Sequence, residues 1–369
     1  MSKLVLDSLE IKNFRAFKHL RIEKLGRVNL IVGKNNVGKS SVLEALLLFA
    51  RRAYPALIWE SLGVRDESAV LNSKKPADLG DTSADVKYLF HGRKPITDLV
   101  DPIEIGSSQD LQEVLSLITY WPNIHANKKL SDLVKPDEYD SAFMAPGIAV
   151  SIGDDVRALY PLDGSYSVRW QIKSFEGKMR DIPCIFVGNF GLQNSLTSRL
   201  WDNIALSSLE REIVSALQII APKITQVNLI GSRDRTAERI AIVKEDALDT
   251  PIPLRSMGEG MYRIFGIALA LVNAKDGMLL IDEVDTGLHY SVLPDLWKLI
   301  FEVAHRLNVQ VFATSHSWDC IQAFQQAAEE NTEEEGVLVR LEHRDGEVVP
   351  VMFDERKLNI AAREQIEVR

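Results

Sequence analysis

Leu4, Leu6, Leu9 and Ile11 fall in a near-alternating apolar pattern and predict a strand close to the start of the chain. Val28–Val32 is a second, mostly apolar strand of the kind covered on both faces. A glycine-bearing turn follows it. A helix is predicted next over residues 39–53, with Val42, Leu43, Leu46 and Leu47 on helical spacing. Between about residues 66 and 202 the pattern weakens. Gly, Pro, Ser and Asp recur there, and short alternating segments such as Tyr166–Ile172 read as β-rich structure with long loops. A helix is predicted over 209–220. The last third then alternates strand and helix: Met278–Ile281, an amphipathic helix over 292–305 with Leu296, Trp297, Ile300 and Phe301 on its apolar side, and a strand over 309–314. Strands and helices alternating at this spacing imply parallel βαβ units.

The hydrophobic fraction of 46% and charged fraction of 26% are those of a folded globular chain. The net charge of −9 argues against a surface coated for polyanions, although a local basic groove depends on the field at the site and not on the total. Arg233, Arg235 and Arg239 form one small basic cluster. Two cysteines, Cys184 and Cys320, make no disulfide framework and suit a reducing compartment. The first residues lack a long apolar core and carry Asp7 and Glu10, so no signal peptide is expected, nor a membrane span, and the chain is read as cytoplasmic. The acidic run Glu329–Gly336 reads as a solvated loop.

The chemistry lies in a few short runs. Gly33-Lys34-Asn35-Asn36-Val37-Gly38-Lys39-Ser40 has the phosphate-loop spacing, placed between a predicted strand and a predicted helix. Glycines let backbone N–H groups curl around phosphate oxygens, and the helix N-terminus adds its dipole. Lys39 is positioned for the β- and γ-phosphates of ATP, and Ser40 for Mg²⁺. Leu279-Leu280-Ile281-Asp282-Glu283 is an apolar strand that ends in two carboxylates. Asp282 suits Mg²⁺, directly or through water, and Glu283 suits the attacking water. His316, just past the following predicted strand, is placed to sense a γ-phosphate. Ser256-Met257-Gly258-Glu259-Gly260 precedes an apolar helix over 262–273, with Ser256 as its cap or pre-cap.

In order, a phosphate loop, a signature turn, an Asp-Glu strand, an Asp loop and a switch His resemble the ABC-type ATPase superfamily. Leu9-Glu10-Ile11-Lys12-Asn13-Phe14-Arg15-Ala16-Phe17 and the Asn-rich loop Gly33–Ser41 are similar to the RecF/SMC-like and overcoming-lysogenization-defect branches. Asp282-Glu283-Val284-Asp285-Thr286-Gly287-Leu288-His289 resembles the Asp-Glu to Leu-His run of the overcoming-lysogenization-defect branch. The resemblance implies an α/β P-loop NTPase with an ABC-ATPase-like head and a β-rich inserted region. Residues 1–65 and 226–369 would be the two head lobes, with 66–225 inserted between them. It implies that Arg15, Ser41 and Asp285 belong to the nucleotide site with the phosphate loop, and that Ser256 and Gly258 meet the γ-phosphate bound by another copy. The implied protein is an ATP hydrolase that dimerises around ATP and Mg²⁺ and drives a DNA-related or anti-phage process. The signature departs from the transporter pattern, and Gln109 and Gln193 are the candidates for a glutamine loop. Only 53 residues follow His316, short for a fused nuclease domain, so a separate nuclease or effector subunit is expected. Two rivals carry the same motifs: an ATP-binding scaffold that does not hydrolyse, and the nucleotide-binding subunit of a membrane transporter.

Overall fold

The computed structural model describes residues 3–67, 86–94, 101–110, 113–120, 147–153, 155–161, 182–231, 239–246, 249–331 and 336–353. Along the chain, β1 (Leu9–Phe14) and β2 (Phe17–Ile22) form a hairpin, and β3 (Val28–Gly33) runs into α1 (Lys39–Ala50) and α2 (Pro55–Val64). Then come β4 (Ile103–Gly106), β5 (Leu115–Tyr120), β6 (Gly147–Ile152), β7 (Asp155–Pro161) and β8 (Cys184–Val187). Helices α3 (Asn194–Ile204) and α4 (Glu210–Gln218) precede β9 (Ile224–Gly231), β10 (Arg239–Glu245) and β11 (Ile252–Pro253). The last part runs α5 (Glu259–Asn273), β12 (Met278–Ile281), α6 (Leu293–Leu307), β13 (Gln310–Thr314), α7 (Trp318–Glu330), β14 (Gly336–Arg344) and β15 (Glu347–Phe353).

The central sheet has the order β15-β14-β3-β13-β12-β8 and is parallel except for β15. Its inner strands are apolar at nearly every position because both faces are covered. The pleat divides the side chains with period two. Leu30 and Val32, Leu279 and Ile281, Val311 and Ala313 pack into one core with α5, α6 and α7. Ile31, Met278, Leu280 and Phe312 point the other way, into a second core with α1 and the β1–β2 hairpin. A second, antiparallel sheet, β2-β1-β4-β5-β6-β7, closes that core from outside. A small sheet, β11-β10-β9, precedes the turn into α5.

Three sequence expectations change. The first strand begins at Leu9, not Leu4, because the main chain of Leu6 is engaged elsewhere. Its N–H donates to Gln310 Oε1 at 2.9 Å, and its carbonyl accepts from Gln310 Nε2 at 2.7 Å. Residues 66–225 do not behave as one insertion. Strands β4–β7 extend the outer sheet, whereas β8 pairs with β12 in the central sheet and α3 and α4 pack in the core of α5. The helix after the signature turn starts at Glu259, three residues before the predicted start. The alternating segment Tyr166–Ile172 lies outside the described residues.

Gly33 closes β3 with a φ of +142°, and a Cβ there would stand 2.5 Å from the carbonyl oxygen of Leu341 on the neighbouring strand. Gly33→Ala therefore suffers both backbone strain and a clash with main chain that cannot rotate away. The expected loss is roughly 2–4 kcal/mol, read as a lower urea midpoint. An unchanged midpoint would contradict this placement.

Candidate functional site

Strands β3, β13 and β12 are adjacent and parallel, so their C-terminal ends leave the sheet at one edge. That edge is where open α/β sheets bind ligands. It gathers the phosphate loop, His316 and the Asp282–Glu283 pair from three distant stretches of sequence. The loop after β8 starts at the same edge, since Val187 is level with Ile281.

In the phosphate loop, Asn36 has a φ of 62° and Gly38 a φ of 101°. These left-handed residues curl the backbone so that α1 opens on Gly38 with no side chain capping its first N–H groups. Asn35 and Asn36 are exposed on the rim. At Gly38 a Cβ would meet the Phe17 ring at 2.7 Å, so the β1–β2 hairpin presses directly on the loop. Lys39 Nζ folds back on the loop and donates to the carbonyls of Gly33 at 2.8 Å and Lys34 at 3.0 Å. Burial holds its ammonium below the usual lysine range, opposed by the charges of Glu283 and Asp282. A cation held by neutral carbonyls in a partly dry cleft, with two carboxylates in its field, is poised for an anionic ligand.

Ser40 Oγ donates to both carboxylate oxygens of Asp282, at 3.2 and 3.0 Å, across 242 residues of sequence. Thr314, the last residue of β13, joins them. Its Oγ1 donates to Asp282 Oδ1 at 2.6 Å and accepts the Glu283 N–H at 2.8 Å. Glu283 itself has a φ of 48°, unusual for a residue with a side chain. Its Oε2 accepts from Thr286 Oγ1 at 3.2 Å. In Asp285, Oδ1 is buried without a hydrogen-bond partner among the described residues.

The donors Ser40 Oγ and Asp282 are hard oxygens, the set Mg²⁺ prefers. Among the described residues no group of three or more His, Cys, Asp or Glu side chains forms a metal cage.

The other expected residues divide. His316 is exposed directly beyond β13, at the edge described above. Ser256 does not cap α5. It lies in a short 3₁₀ turn with its hydroxyl donating to the Pro253 carbonyl at 2.5 Å, while Gly258, with φ 106°, occupies the cap position. Both are exposed. Ser41 is buried, at 3.5 Å from an Arg65 nitrogen.

Arg15 differs most from expectation. Its side chain is 4% exposed, with Nη1 donating to Glu67 at 2.7 Å and Nη2 donating to Glu44 at 2.6 Å and to Ser61 at 2.9 Å. Burial pushes the Glu44 carboxyl upward, and Arg15 and Arg65 oppose that shift. Arg15 is thus an internal counter-ion that ties the β1–β2 turn to α1 and α2, and its terminal nitrogens are occupied by protein. Gln109 follows β4 in the other sheet, and Gln193 is exposed just before α3. Arg239 pairs with Asp202 and with the Leu229 carbonyl, so it is no free contact for a polyanion. Arg233 and Arg235 lie outside the described residues.

Sequence reasoning missed Thr314 and Arg263. Thr314 had a usable signal as a hydroxyl at the end of an apolar strand. Arg263 stands in the buried helix α5 and donates to the carbonyls of Asp282 at 2.6 Å and Glu283 at 2.9 Å. An Arg inside an otherwise apolar helix was its only mark.

Comparisons with known proteins find P-loop ATPases. A family model described as AAA ATPase domain matches residues 5–118. A second AAA-domain model, whose description mentions the AbiEii toxin of type IV toxin–antitoxin systems, matches residues 196–319. An ATP/GTP phosphatase of Helicobacter pylori is 23% identical over 353 residues, 88% of this chain and 89% of that protein. The DNA replication and repair protein RecF of Pseudoalteromonas translucida is 26% identical over 149 residues, 38% of this chain and 35% of that one. The DNA double-strand break repair Rad50 ATPase of Archaeoglobus fulgidus is 41% identical over 66 residues, 18% of this chain and 7% of that one. Among solved structures, the Smc head domain from Pyrococcus furiosus superposes with a TM-score of 0.50 at 12% identity, covering 98% of this chain and 99% of that one. At that identity the likeness concerns the fold.

Proposed function

We propose, on the premise that the chain belongs to the ABC-type P-loop ATPases of the RecF and SMC kind, that it is an ATP-driven switch in which two copies close around nucleotide. The observation that carries the reading is the Ser40–Asp282 contact beside Lys39, with Glu283 held next to it by Thr314. These are the parts that phosphoryl transfer to water requires.

In this reading the loop amides of residues 33–40, Asn35 and Asn36 among them, cradle the triphosphate. Lys39 exchanges its bonds to Gly33 and Lys34 for the β- and γ-phosphate oxygens. Ser40 and Asp282 would hold Mg²⁺, which when bound neutralises charge between those phosphates. Glu283 takes a proton from the attacking water, and His316 donates to the γ-phosphate. Asp285 follows Glu283 by two residues and belongs to the same nucleotide site in this reading.

Ser256 and Gly258 are exposed, and among the described residues their hydroxyl and amide bond only to Pro253 and Arg255. They suit a γ-phosphate presented by a second copy, which makes two composite sites per dimer. Phosphate release removes the link and lets the heads part.

The names of the RecF and Rad50 relatives support DNA as the object of this cycle. The Leu288-His289 run and the toxin–antitoxin description support an anti-phage setting in the cytoplasm, with a separate nuclease or other effector subunit. Among the described residues no helix is long and apolar enough to cross a membrane.

Subunit mixing tests the composite site. Lys39→Ala removes the phosphate grip and Ser256→Arg blocks the signature turn, so each variant alone should release little phosphate. Mixed, they form heterodimers with one intact site, and about a quarter of wild-type activity should return. If mixing restores nothing while both variants remain folded, the two-copy mechanism is wrong.

A further inference from the structure

Helix α5 is buried nearly throughout, and Arg263 is the charged residue inside that buried stretch, with 5% of its surface exposed. Among the described residues it makes no hydrogen bond to a carboxylate oxygen. Nη2 donates to the main-chain carbonyls of Asp282 and Glu283, and Nη1 donates to that of Gly188 and reaches that of Asn189 at 3.4 Å. One planar guanidinium therefore spans the ends of two neighbouring strands, β8 and β12. Burial lowers its pKa, and the nearby charges of Asp282, Asp285 and Glu283 offset that effect.

The Glu283 peptide is pinned at both ends: its N–H by Thr314 Oγ1 and its carbonyl by Arg263. The residue is held with a φ of 48°, a conformation the backbone would otherwise leave. The start of α5 also lies hard against the Asp loop, since a Cβ on Gly260 would stand 2.8 Å from the Gly287 carbonyl.

We infer that Arg263 is a positioning residue for hydrolysis. It holds Glu283 in its left-handed conformation, so the carboxylate aims at the attacking water, and it locks the Gly188–Asn189 turn at the same edge. The inference rests on the reading of Glu283 as the group that takes the water's proton. Among the described residues Arg263 makes no hydrogen bond to the phosphate loop or to Lys39, and it reaches Asp282 through the main chain alone, so its loss should weaken nucleotide grip far less than hydrolysis.

The test uses Arg263→Lys and Arg263→Ala in the full chain. Lysine keeps the charge but offers a single nitrogen in place of the fork, so it cannot hold both turns at full strength. Affinity for a fluorescent ATP analogue, single-turnover phosphate release and thermal midpoint are measured for each. Affinity within about three-fold of wild type is expected in Arg263→Lys, with phosphate release slowed by about a hundred-fold in Arg263→Ala and less in Arg263→Lys. If Arg263→Ala does not fold, the Lys variant alone decides: slowed release at preserved affinity supports the inference. Release within three-fold of wild type overturns it, as does a parallel fall of affinity, release and midpoint, which would mark a structural brace. Failure of the ATPase reading shows differently, as wild-type phosphate release by Lys39→Ala.

Discussion

Glu283→Gln should slow phosphate release by about 10²- to 10⁴-fold and leave the nucleotide bound. The amide preserves the shape of the side chain and its contact with Thr286, but it cannot accept a proton from water at neutral pH. The Glu283 N–H, bonded to Thr314 Oγ1, and the carbonyl, bonded to Arg263, belong to the main chain and are untouched. Only the chemical step is removed, so the effect falls on kcat and not on affinity. The unhydrolysed nucleotide should then hold two copies together. Size-exclusion chromatography with ATP should shift the variant to a dimer that persists, while wild type returns to its starting position as ATP is consumed. Two results would defeat the assignment: wild-type phosphate release, or an elution position that ignores ATP.

Lys39→Ala should abolish nucleotide binding at ordinary concentrations. Removing a partly desolvated ammonium from a triphosphate costs about 2–5 kcal/mol, a weakening of roughly thirty-fold or more. The variant should not lose stability. Burial lowers the Lys39 pKa in the fold, so the charged form is disfavoured there relative to the unfolded chain. The sign follows from proton linkage. The folded state holds fewer protons than the unfolded state between the lowered value and 10.5. That lysine's cost is therefore fully present below the folded pKa and is relieved as pH rises through it. At neutral pH alanine removes the cost, and the thermal midpoint should stay level or rise. A variant that binds no nucleotide because it has unfolded would show a lowered midpoint instead, and calorimetry with ATP distinguishes the two.

Features written in consecutive residues are legible in the sequence alone. The phosphate loop requires its residues within eight positions, because one backbone turn surrounds one phosphate chain. The Asp282–Glu283 pair is legible because an apolar strand ending in carboxylates places them at a sheet edge. The strands of the central sheet are readable for the same reason: being covered on both faces, they are apolar without alternation. The first strand is misplaced by pattern because Leu4 and Leu6 have a strand's polarity, while the Gln310 side chain, more than 300 residues away, takes the main-chain groups a strand would use.

Arg15 marks the limit of motif transfer. Its position in the opening run suggests a nucleotide contact, yet Glu44, Glu67 and Ser61, all from later in the chain, claim its nitrogens. Ser256 reads from its spacing as a cap or pre-cap, and the 3₁₀ turn ahead of α5 decides between them: Gly258 is the cap and Ser256 precedes it. The sequence by itself determined which local chemistry is present: a loop for phosphates, two acids after a strand and a turn before a buried helix. Tertiary structure alone decided that Ser40 meets Asp282, that Thr314 and Arg263 pin the Glu283 peptide from both sides, and that Arg15 is a buried counter-ion. The physical reason is the order of the parallel strands. It brings Ser40 to Asp282 across 242 residues and Thr314 to Glu283 across 31, and a single hydrogen bond between two such positions leaves no periodic trace along the chain.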